Sequence, residues 1–225
     1  MVTFYHNLLY KVDTRIIINV DPVGWEDDRE KMLEVCRRYS TDLVYNLPTE
    51  PHFGRAFKWV WDQVESELVF HLEDDWKLLH LIDFIDLHKK LFKYKDNALV
   101  RLSQFKSTED KMKNWNLFYP WNGHRQLFMC PKNLISTAGF CGHPSLIKGD
   151  YVRACRAHIN PDKNPEKQFH SGNEELLKEV LRWQYGVYSF PNMVNYIQDL
   201  GRKWASENGW KKKGSKAFFL QWERT

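Results

Sequence analysis

The stretch LVFHLEDDW, residues 68–76, joins a short apolar run to three consecutive acids and a tryptophan. Residues 68–72 have the length and composition of a buried β-strand. Glu73, Asp74 and Asp75 follow at once, and three carboxylates this close repel one another unless something positive lies beside them. A divalent metal ion relieves such repulsion, and oxygen ligands select Mg²⁺ or Mn²⁺. The stretch therefore predicts a strand that ends at a charged site.

The three acids allow two interpretations. Alternate residues of an extended segment point the same way, so Glu73 and Asp75 would face one site while Asp74 faces the other side. In the second interpretation Asp74 or Asp75 caps a helix that begins near Trp76. We favour the metal interpretation, because the preceding strand is strongly apolar and the following residue is aromatic.

Strand and helix patterns alternate on both sides of this stretch, which is typical of an α/β protein. The spacing of residues 53–64 is that of an amphipathic helix, and Leu78, Leu81, Ile82 and Ile85 suggest another. Further strands are predicted at 15–21, 42–46, 97–102 and 186–190, and further helices at 26–39, 149–159 and 173–183. The fold class predicted is α/β, with a mostly parallel sheet flanked by helices.

Ligands of such sheets lie at the carboxyl ends of strands, where Asp21 and the three acids are expected. No linker or repeat divides the chain, so residues 1–225 are predicted to form a single domain. Residues 103–199 begin with a loose stretch rich in Trp, Tyr, Asn, Gly and Pro, after the more regular pattern of residues 1–102.

Composition indicates a folded protein without a membrane anchor. The 225 residues include 10 Trp, 10 Tyr and 14 Phe, which argues against disorder. No apolar run approaches the ~20 residues of a membrane span, so no membrane is expected as a partner. The scattered cysteines Cys36, Cys130, Cys141 and Cys155 support neither a disulfide framework nor a zinc site. A reducing, cytoplasmic compartment is expected.

Positive charge is concentrated in residues 200–225, named the basic segment here. It has seven Lys or Arg against Glu207 and Glu223, a net +5, which leaves −1 for residues 1–199. Trp204, Trp210 and Trp222 are interleaved with these charges. Such a segment can favour an anionic partner, although a solvated basic end is the commoner explanation.

The order of these elements resembles the nucleotide-sugar half of a GT-A glycosyltransferase, of the family 2 type. The resemblance rests on a strand ending in Asp21, a helix, a short strand, the helix of PHFGRAFKWVWDQV (51–64), and LVFHLEDDW. It covers residues 3–102, and residues 137–204 more loosely. The resemblance implies that residues 1–102 are the nucleotide-sugar-binding half and residues 103–199 the acceptor half, followed by the basic segment. The EDD triplet is similar to variant forms of that family's Asp-x-Asp motif.

The resemblance implies a role for each acid and for one helix. Asp21 would contact the nucleoside, and Arg55 would lie on the helix beside the nucleotide sugar. Asp75 would hold Mn²⁺ or Mg²⁺ on the diphosphate of a UDP-sugar. Glu73 and Asp74 would serve the ribose or the metal, with Glu73 a further candidate metal ligand.

Residues 173–204 offer further candidates by the same resemblance. Glu174 or Glu175 would be the catalytic base of an inverting enzyme, although an acidic first turn also suits the helix dipole. Asp199 would return as a metal ligand. Arg202 or Lys203 would hold the diphosphate. The alternative for residues 195–204 is a surface loop that leads into the basic segment.

Acceptor binding is assigned to two regions. Gly142 and His143, in TAGFCGHPSLIKGD (137–150), would let acceptor and sugar approach closely, although an ordinary turn between strands competes with this interpretation. Trp76 and Trp204 would offer aromatic faces to the acceptor. Arg101 is a further candidate for binding the acceptor.

The size and the basic segment resemble small phage-encoded enzymes that glycosylate hydroxymethylated bases in double-stranded DNA, which would act in the host cytoplasm. A glycan or a small molecule is the alternative acceptor. A nucleotidyltransferase is disfavoured because residues 20–30 lack a Gly-rich phosphate loop, and a nuclease because no matching Lys-containing metal core is present. A non-catalytic nucleic-acid-binding protein would not need residues 73–75.

Overall fold

The computed structural model describes residues 2–9, 13–23, 26–104, 119–120, 127–129, 140–188, 195–213 and 221–224. The helices are α1 (Val2–His6), α2 (Glu26–Arg37), α3 (Phe53–Asp62), α4 (Phe84–Phe92), α5 (Gly149–Arg156), α6 (Pro165–Gln168), α7 (Glu174–Val180) and α8 (Gly201–Glu207). The strands are β1 (Arg15–Asn19), β2 (Asp42–Asn46), β3 (Leu68–His71), β4 (Trp76–Leu78), β5 (Asn97–Leu102), β6 (Tyr119–Pro120), β7 (Leu127–Met129), β8 (Ser145–Lys148), β9 (Gln184–Tyr188), β10 (Ile197–Asp199), β11 (Trp210–Lys213) and β12 (Gln221–Arg224).

The main sheet has six strands in the order β3-β8-β5-β9-β7-β6. Within the described ranges, β5 and β9 are its only parallel neighbours, and the other pairs are antiparallel. Strands β1 and β2 form a separate parallel pair. The α/β class is thus confirmed, but the expectation of a mostly parallel sheet is wrong, because the sheets are mixed.

The mixed character follows from where β8 enters the sheet. At the end of β5 the backbone N–H of Leu102 donates to the carbonyl of Pro144 at 2.8 Å, just before β8 begins. Strand β8 therefore starts at the edge where β5 ends, and it runs back antiparallel to both β5 and β3. A parallel strand would have needed a crossover to the opposite edge first.

Most predicted elements are confirmed, including the helix at α3 and the strands β1, β2, β3 and β5. The helix expected to include Leu78 is wrong in its first part. Trp76–Leu78 is strand β4, which pairs antiparallel with β10, and α4 begins only at Phe84, where the Asp83 side chain caps it. No helix begins at Trp76, so Asp74 and Asp75 are not its caps.

Two apolar clusters hold the main sheet from its two faces. Consecutive strand residues point to opposite faces, so Leu99 joins one cluster and Val100 the other. The first cluster is packed under α3, α5 and α7 and includes Trp61, Phe140, Tyr151 and Phe169. The second is packed under α4 and includes Trp76, Leu78, Leu87 and Tyr188. The carboxyl ends of β3 and β5 emerge between these clusters.

The basic segment is folded in its described parts. Helix α8 is followed by the antiparallel pair β11–β12, in which Lys211 lies opposite Glu223. Residues 195–204, for which a surface loop was the alternative, instead contain β10 and most of α8. In the part of the chain that the structure describes, no helix is long and apolar enough to cross a membrane.

Candidate functional site

Residues 73–75, named the acidic turn here, connect β3 to β4. The backbone N–H of Trp76 lies 3.5 Å from the carbonyl oxygen of Glu73, which closes the turn. Asp74 is exposed, whereas Glu73 and Asp75 are half-buried. The three consecutive acids are therefore not equivalent, and Glu73 and Asp75 contact different parts of the protein.

Glu73 lies against Gly142, and a second carboxylate lies there too. The backbone N–H of Gly142 donates to Glu166 Oε1 at 2.6 Å. A methyl group on Gly142 would lie 2.7 Å from Glu73 Oε1 and 2.9 Å from Glu166 Oε1. Both carboxylates therefore crowd the same backbone atom, and a side chain at position 142 would force one of them to move.

Sequence reasoning missed Glu166, although a local signal was present. Glu166 lies on the short helix α6, where Asn164 is the N-cap and Pro165 occupies the first turn. Asn followed by Pro is a helix-start signal, and the following acid belongs to the first turn. What the sequence could not indicate is that this turn packs against residue 142.

Asp75 lies against the start of α8. The backbone N–H of Leu200 donates to the carbonyl of Asp75 at 2.8 Å, and a methyl group on Gly201 would lie 2.9 Å from Asp75 Cβ and closer still to its Oδ2. The backbone N–H of Gly201 also donates to Asp199 Oδ1 at 2.9 Å. The β4–β10 register places Asp199 opposite Trp76. The fold thus brings Asp199 back beside the acidic turn.

A row of polar side chains crosses three strands next to the acidic turn. Ser145 on β8 lies opposite His71 on β3 and opposite Arg101 on β5. Directly opposed residues of antiparallel strands share one face of the sheet, so the three side chains are neighbours. His71 Nε2 lies 3.8 Å from Glu73 Oε1, which joins the row to the acidic turn.

Cys141 lies at the Arg101 end of this row. Arg101 Nη1 donates to Cys141 Sγ at 3.1 Å. Burial raises the pKa of the Cys141 thiol, but the charges of His143 and Arg101, with hydrogen bonds to His143, lower that pKa to about 5. The His143 ring packs edge-on against Trp76, with ring centroids 5.0 Å apart. The cysteine with this lowered pKa lies one residue before Gly142.

Asp21 belongs to a polar network at the carboxyl ends of β1 and β2. Its two carboxylate oxygens accept from Asn19 Nδ2 at 2.8 Å and from the backbone N–H of His52 at 3.2 Å. Asn46 Nδ2 donates to Asn19 Oδ1 at 2.7 Å, which links the two strands. Burial raises the pKa of Asp21, and these hydrogen bonds oppose the rise.

Three of the predicted residues are solvated on the surface. Arg55 forms an exposed ion pair with Asp162 at 3.3 Å. Glu174 and Glu175 are exposed in the first turn of α7, and Glu175 pairs with Lys178 at 2.6 Å. The hydrogen bond from Lys178 lowers the pKa of Glu175, which is the opposite of what a general base needs at neutral pH.

The candidates for diphosphate and acceptor binding have mixed placements. Lys203 is exposed and lies 3.7 Å from Glu207 on α8, and the Arg202 side chain lies outside the described residues. Trp204 is 44 % exposed on the same helix. Trp76 is only 8 % exposed, and it belongs to the second apolar cluster. Trp204 thus offers an open aromatic face, and Trp76 contributes mainly to the core.

The acidic turn and Asp199 offer some of the ligands that a divalent metal ion requires. Glu73, Asp75 and Asp199 supply carboxylate oxygens, the ligands that Mg²⁺ and Mn²⁺ prefer. No set of three or more His, Cys, Asp or Glu among the described residues has the geometry to hold a metal ion. Magnesium often takes one or two carboxylates from the protein and its remaining ligands from phosphates and water. The donor chemistry fits that shared mode of binding rather than an all-protein cage.

No model of a known protein family matches this chain. A search of curated proteins finds no match either. Any functional inference for this protein therefore rests on the residues and contacts described above.

Proposed function

We propose that the protein is a metal-dependent glycosyltransferase with a GT-A-like arrangement, which moves a sugar from a UDP-sugar to a hydroxyl acceptor. The main support is the return of β10 and α8 onto the acidic turn. That return places Asp199 beside Trp76 and sets the Asp75 carboxylate against Gly201. Two acids far apart in the sequence are thereby brought together beside the carboxyl end of β3. The carboxyl ends of strands are where α/β proteins bind ligands.

Asp75, Asp199 and Glu73 are the residues proposed to hold Mn²⁺ or Mg²⁺ together with the donor diphosphate. The metal would neutralise the charge that builds up on the leaving diphosphate. Asp75 is held by the Leu200 N–H on its backbone carbonyl and by contact with Gly201. Such support positions a carboxylate before the substrate arrives, which reduces reorganisation during the reaction.

The nucleoside would bind at the carboxyl ends of β1 and β2. Asn19, Asp21 and Asn46 form a connected polar network there. Their amides and carboxylate offer both hydrogen-bond donors and acceptors, which is what recognition of a base or a ribose requires. This region and the acidic turn would then hold the two ends of the donor.

Glu166 is our candidate for the base that takes the proton of the acceptor hydroxyl, in preference to Glu174 and Glu175. It is half-buried and faces Glu73 across Gly142, whereas the two acids of α7 are exposed. A general base must be within hydrogen-bond reach of the reacting group, and Glu166 lies beside the acidic turn.

For the acceptor we propose a hydroxymethylated base in double-stranded DNA. The net charge of +5 on the basic segment would attract the phosphate backbone, since neutralised phosphates release counterions. The described part of this segment begins directly after Asp199 and includes Gly201. DNA held by the basic segment would therefore lie next to the proposed metal ligands.

A thermal-shift titration with UDP, with and without Mn²⁺, tests donor binding. A ligand that binds only the folded state at about 100 times its Kd adds about 2.7 kcal/mol of stability. We expect UDP to raise Tm only with Mn²⁺, and Asp75→Asn to abolish that effect. Asp62→Asn, which removes an exposed acid on α3 that pairs with Lys58, is the matched control and should keep it. A panel of nucleoside diphosphates that leaves Tm unchanged with Mn²⁺ would refute donor binding.

A transfer assay tests the acceptor. Radiolabelled UDP-sugars, hexoses and pentoses, are incubated with hydroxymethylated duplex DNA, unmodified duplex and an oligosaccharide mixture. Label in the modified duplex alone is expected. Label in the oligosaccharides alone would reject DNA as the acceptor while keeping the transferase. Salt-sensitive DNA binding without any transfer, unaffected by Asp75→Asn, would instead indicate a non-catalytic nucleic-acid-binding protein.

A further inference from the structure

The proposed sugar transfer makes no use of the group around Cys141. Its sulfur accepts a hydrogen bond from Arg101 Nη1 at 3.1 Å, and His143 lies two residues further along the chain. Cys141 is half-buried, whereas Cys36 and Cys155 are buried. A guanidinium and an imidazole beside a half-buried cysteine are the conditions in which a thiol is held as its thiolate.

A second observation comes from the neighbouring strand. Ser145 is 1 % exposed, and its Oγ has no hydrogen-bond partner in the described part of the structure. This side chain lies between His71 and Arg101 in the polar row. A buried hydroxyl without a partner is unfavourable, because it has lost its hydrogen bonds to water and gained none in the protein. The position beside Arg101 is therefore suited to accept one more polar atom.

We propose that Cys141 is a modification site, a reactive thiolate that takes peroxides and is oxidised to a sulfenic acid, whose oxygen is held between Arg101 and Ser145. The ligand class is a small hydroperoxide, with hydrogen peroxide as the simplest member. This site is separate from sugar transfer, and its test does not depend on the transferase proposal.

The reaction balances with one peroxide and one proton. The thiolate sulfur attacks one oxygen of the peroxide, so an S–O bond forms while the O–O bond breaks. The sulfur is oxidised by two electrons and the peroxide is reduced. The departing hydroxide takes a proton from the solvent and leaves as water. The sulfenic acid can be reversed by thiols.

The pKa of the Cys141 thiol sets how much faster Cys141 should react than an ordinary cysteine. With a thiol pKa of about 5, most of Cys141 is thiolate at about pH 6. An ordinary cysteine, with a pKa near 8.5, is less than about 1 % thiolate at that pH. A thiolate of low pKa is also a weaker nucleophile, which cancels most of this ratio. The net expectation is that Cys141 reacts about 10-fold faster than an ordinary cysteine.

The experiment uses the intact folded protein at about pH 6. Iodoacetamide is added in a time course, and peptide mass spectrometry follows alkylation at each cysteine separately. Cys141 should react at least about 10-fold faster than Cys36 and Cys155, and faster than free cysteine. Hydrogen peroxide with dimedone should then label Cys141 as its sulfenic acid. Alkylation of Cys141 no faster than that of the two buried cysteines would overturn the proposal, and so would the absence of dimedone label there.

Variants of the charged neighbours test the cause. Arg101→Met should slow alkylation of Cys141 at about pH 6 by roughly 10-fold, since the guanidinium stabilises the thiolate. Arg182→Met is the matched control. It removes an exposed guanidinium that lies just after α7 and pairs with Glu179, and no change in the alkylation rate of Cys141 is expected. An unchanged rate in Arg101→Met would reject the assigned role of Arg101.

A thiolate titration covers the case in which Arg101→Met does not fold. Absorbance near 240 nm is compared between the unaltered protein and Cys141→Ser as the pH is raised. The difference signal should already be present near pH 6. A difference signal that appears only near pH 8.5 would show an ordinary thiol and would overturn the proposal.

Discussion

Two runs of consecutive acids in this protein look alike in the sequence but differ in the folded structure, where one is exposed and the other is partly buried. Glu174 and Glu175 begin α7, and Glu175 is solvated and paired with Lys178 at 2.6 Å. In the acidic turn, by contrast, Glu73 and Asp75 are half-buried against the backbone of Gly142 and Gly201. One run serves a helix end, and the other is enclosed by distant segments.

A cluster of acids therefore indicates a site only when other segments of the chain pack against the carboxylates and hold them in place. Asn173 caps α7 locally, and acids in a first turn interact favourably with the helix dipole. Nothing beyond that turn is needed to explain them. The acids of the acidic turn have no helix to serve, and the chain closes on them from residues 142, 166 and 201.

The largest expected effect comes from the acid that contacts Gly201. Under the proposed function, Asp75→Asn should lower kcat/KM for sugar transfer by about 100-fold or more, because it removes the charge proposed to hold the metal on the diphosphate. Glu174→Gln and Glu175→Gln should each change it by less than about 2-fold, since solvated first-turn acids contribute little. Steady-state kinetics on purified variants measure this. Equal losses in both runs would remove the distinction between them.

A smaller effect on stability tests the confinement itself. At an ordinary exposed helix position Gly→Ala stabilises by up to about 1 kcal/mol. Gly201→Ala should instead destabilise by about 1–3 kcal/mol, because the new methyl group overlaps the short Asp75 side chain. Urea unfolding measures both this variant and the control Ser206→Ala, on the exposed part of the same helix. Stabilisation of Gly201→Ala would show that Asp75 moves aside freely.

The smallest effect is a difference in the pH dependence of two other carboxyls. Burial raises the pKa of Asp21, so its contribution to stability falls as pH rises from the unfolded value through the folded one. Lys178 lowers the pKa of Glu175, so its contribution is present above the unfolded pKa and is lost as pH falls through the folded one. Carboxyl NMR titrations, assigned with Asp21→Asn and Glu175→Gln, should show the two shifts in opposite directions. Shifts in the same direction would contradict the environments described for these two residues.

Much of the fold could be predicted from local patterns. The helical spacing of apolar residues predicted α3, and a short apolar run predicted β3. Both patterns are local, because they depend only on residues close together in the sequence. The same reasoning failed at Leu78, which has helical spacing relative to Ile82. Leu78 lies in β4 because β10, more than a hundred residues later, pairs with it.

The candidate site was only half visible in the sequence. The position of the acidic turn after β3 was predicted from the chain alone, and so was the proximity of Gly142 to a site. Glu166 and Cys141 were missed as site residues, because a helix start at residues 164–165 and a histidine at 143 do not indicate which distant residues these side chains contact. Their roles arise from contacts with residues 142 and 101, which lie far from Glu166 and Cys141 respectively along the chain.

Hydrophobic periodicity and charge are properties of neighbouring residues. They were therefore enough to predict the alternation of strands and helices and the position of the three acids after β3. Only the tertiary structure decided that β8 runs back between β3 and β5, and that the sheet is mixed. It also decided which acids are confined. Asp75 is held because α8 returns to it without a side chain at position 201, and Glu175 is solvated because its side chain points away from the other described segments and pairs only locally with Lys178.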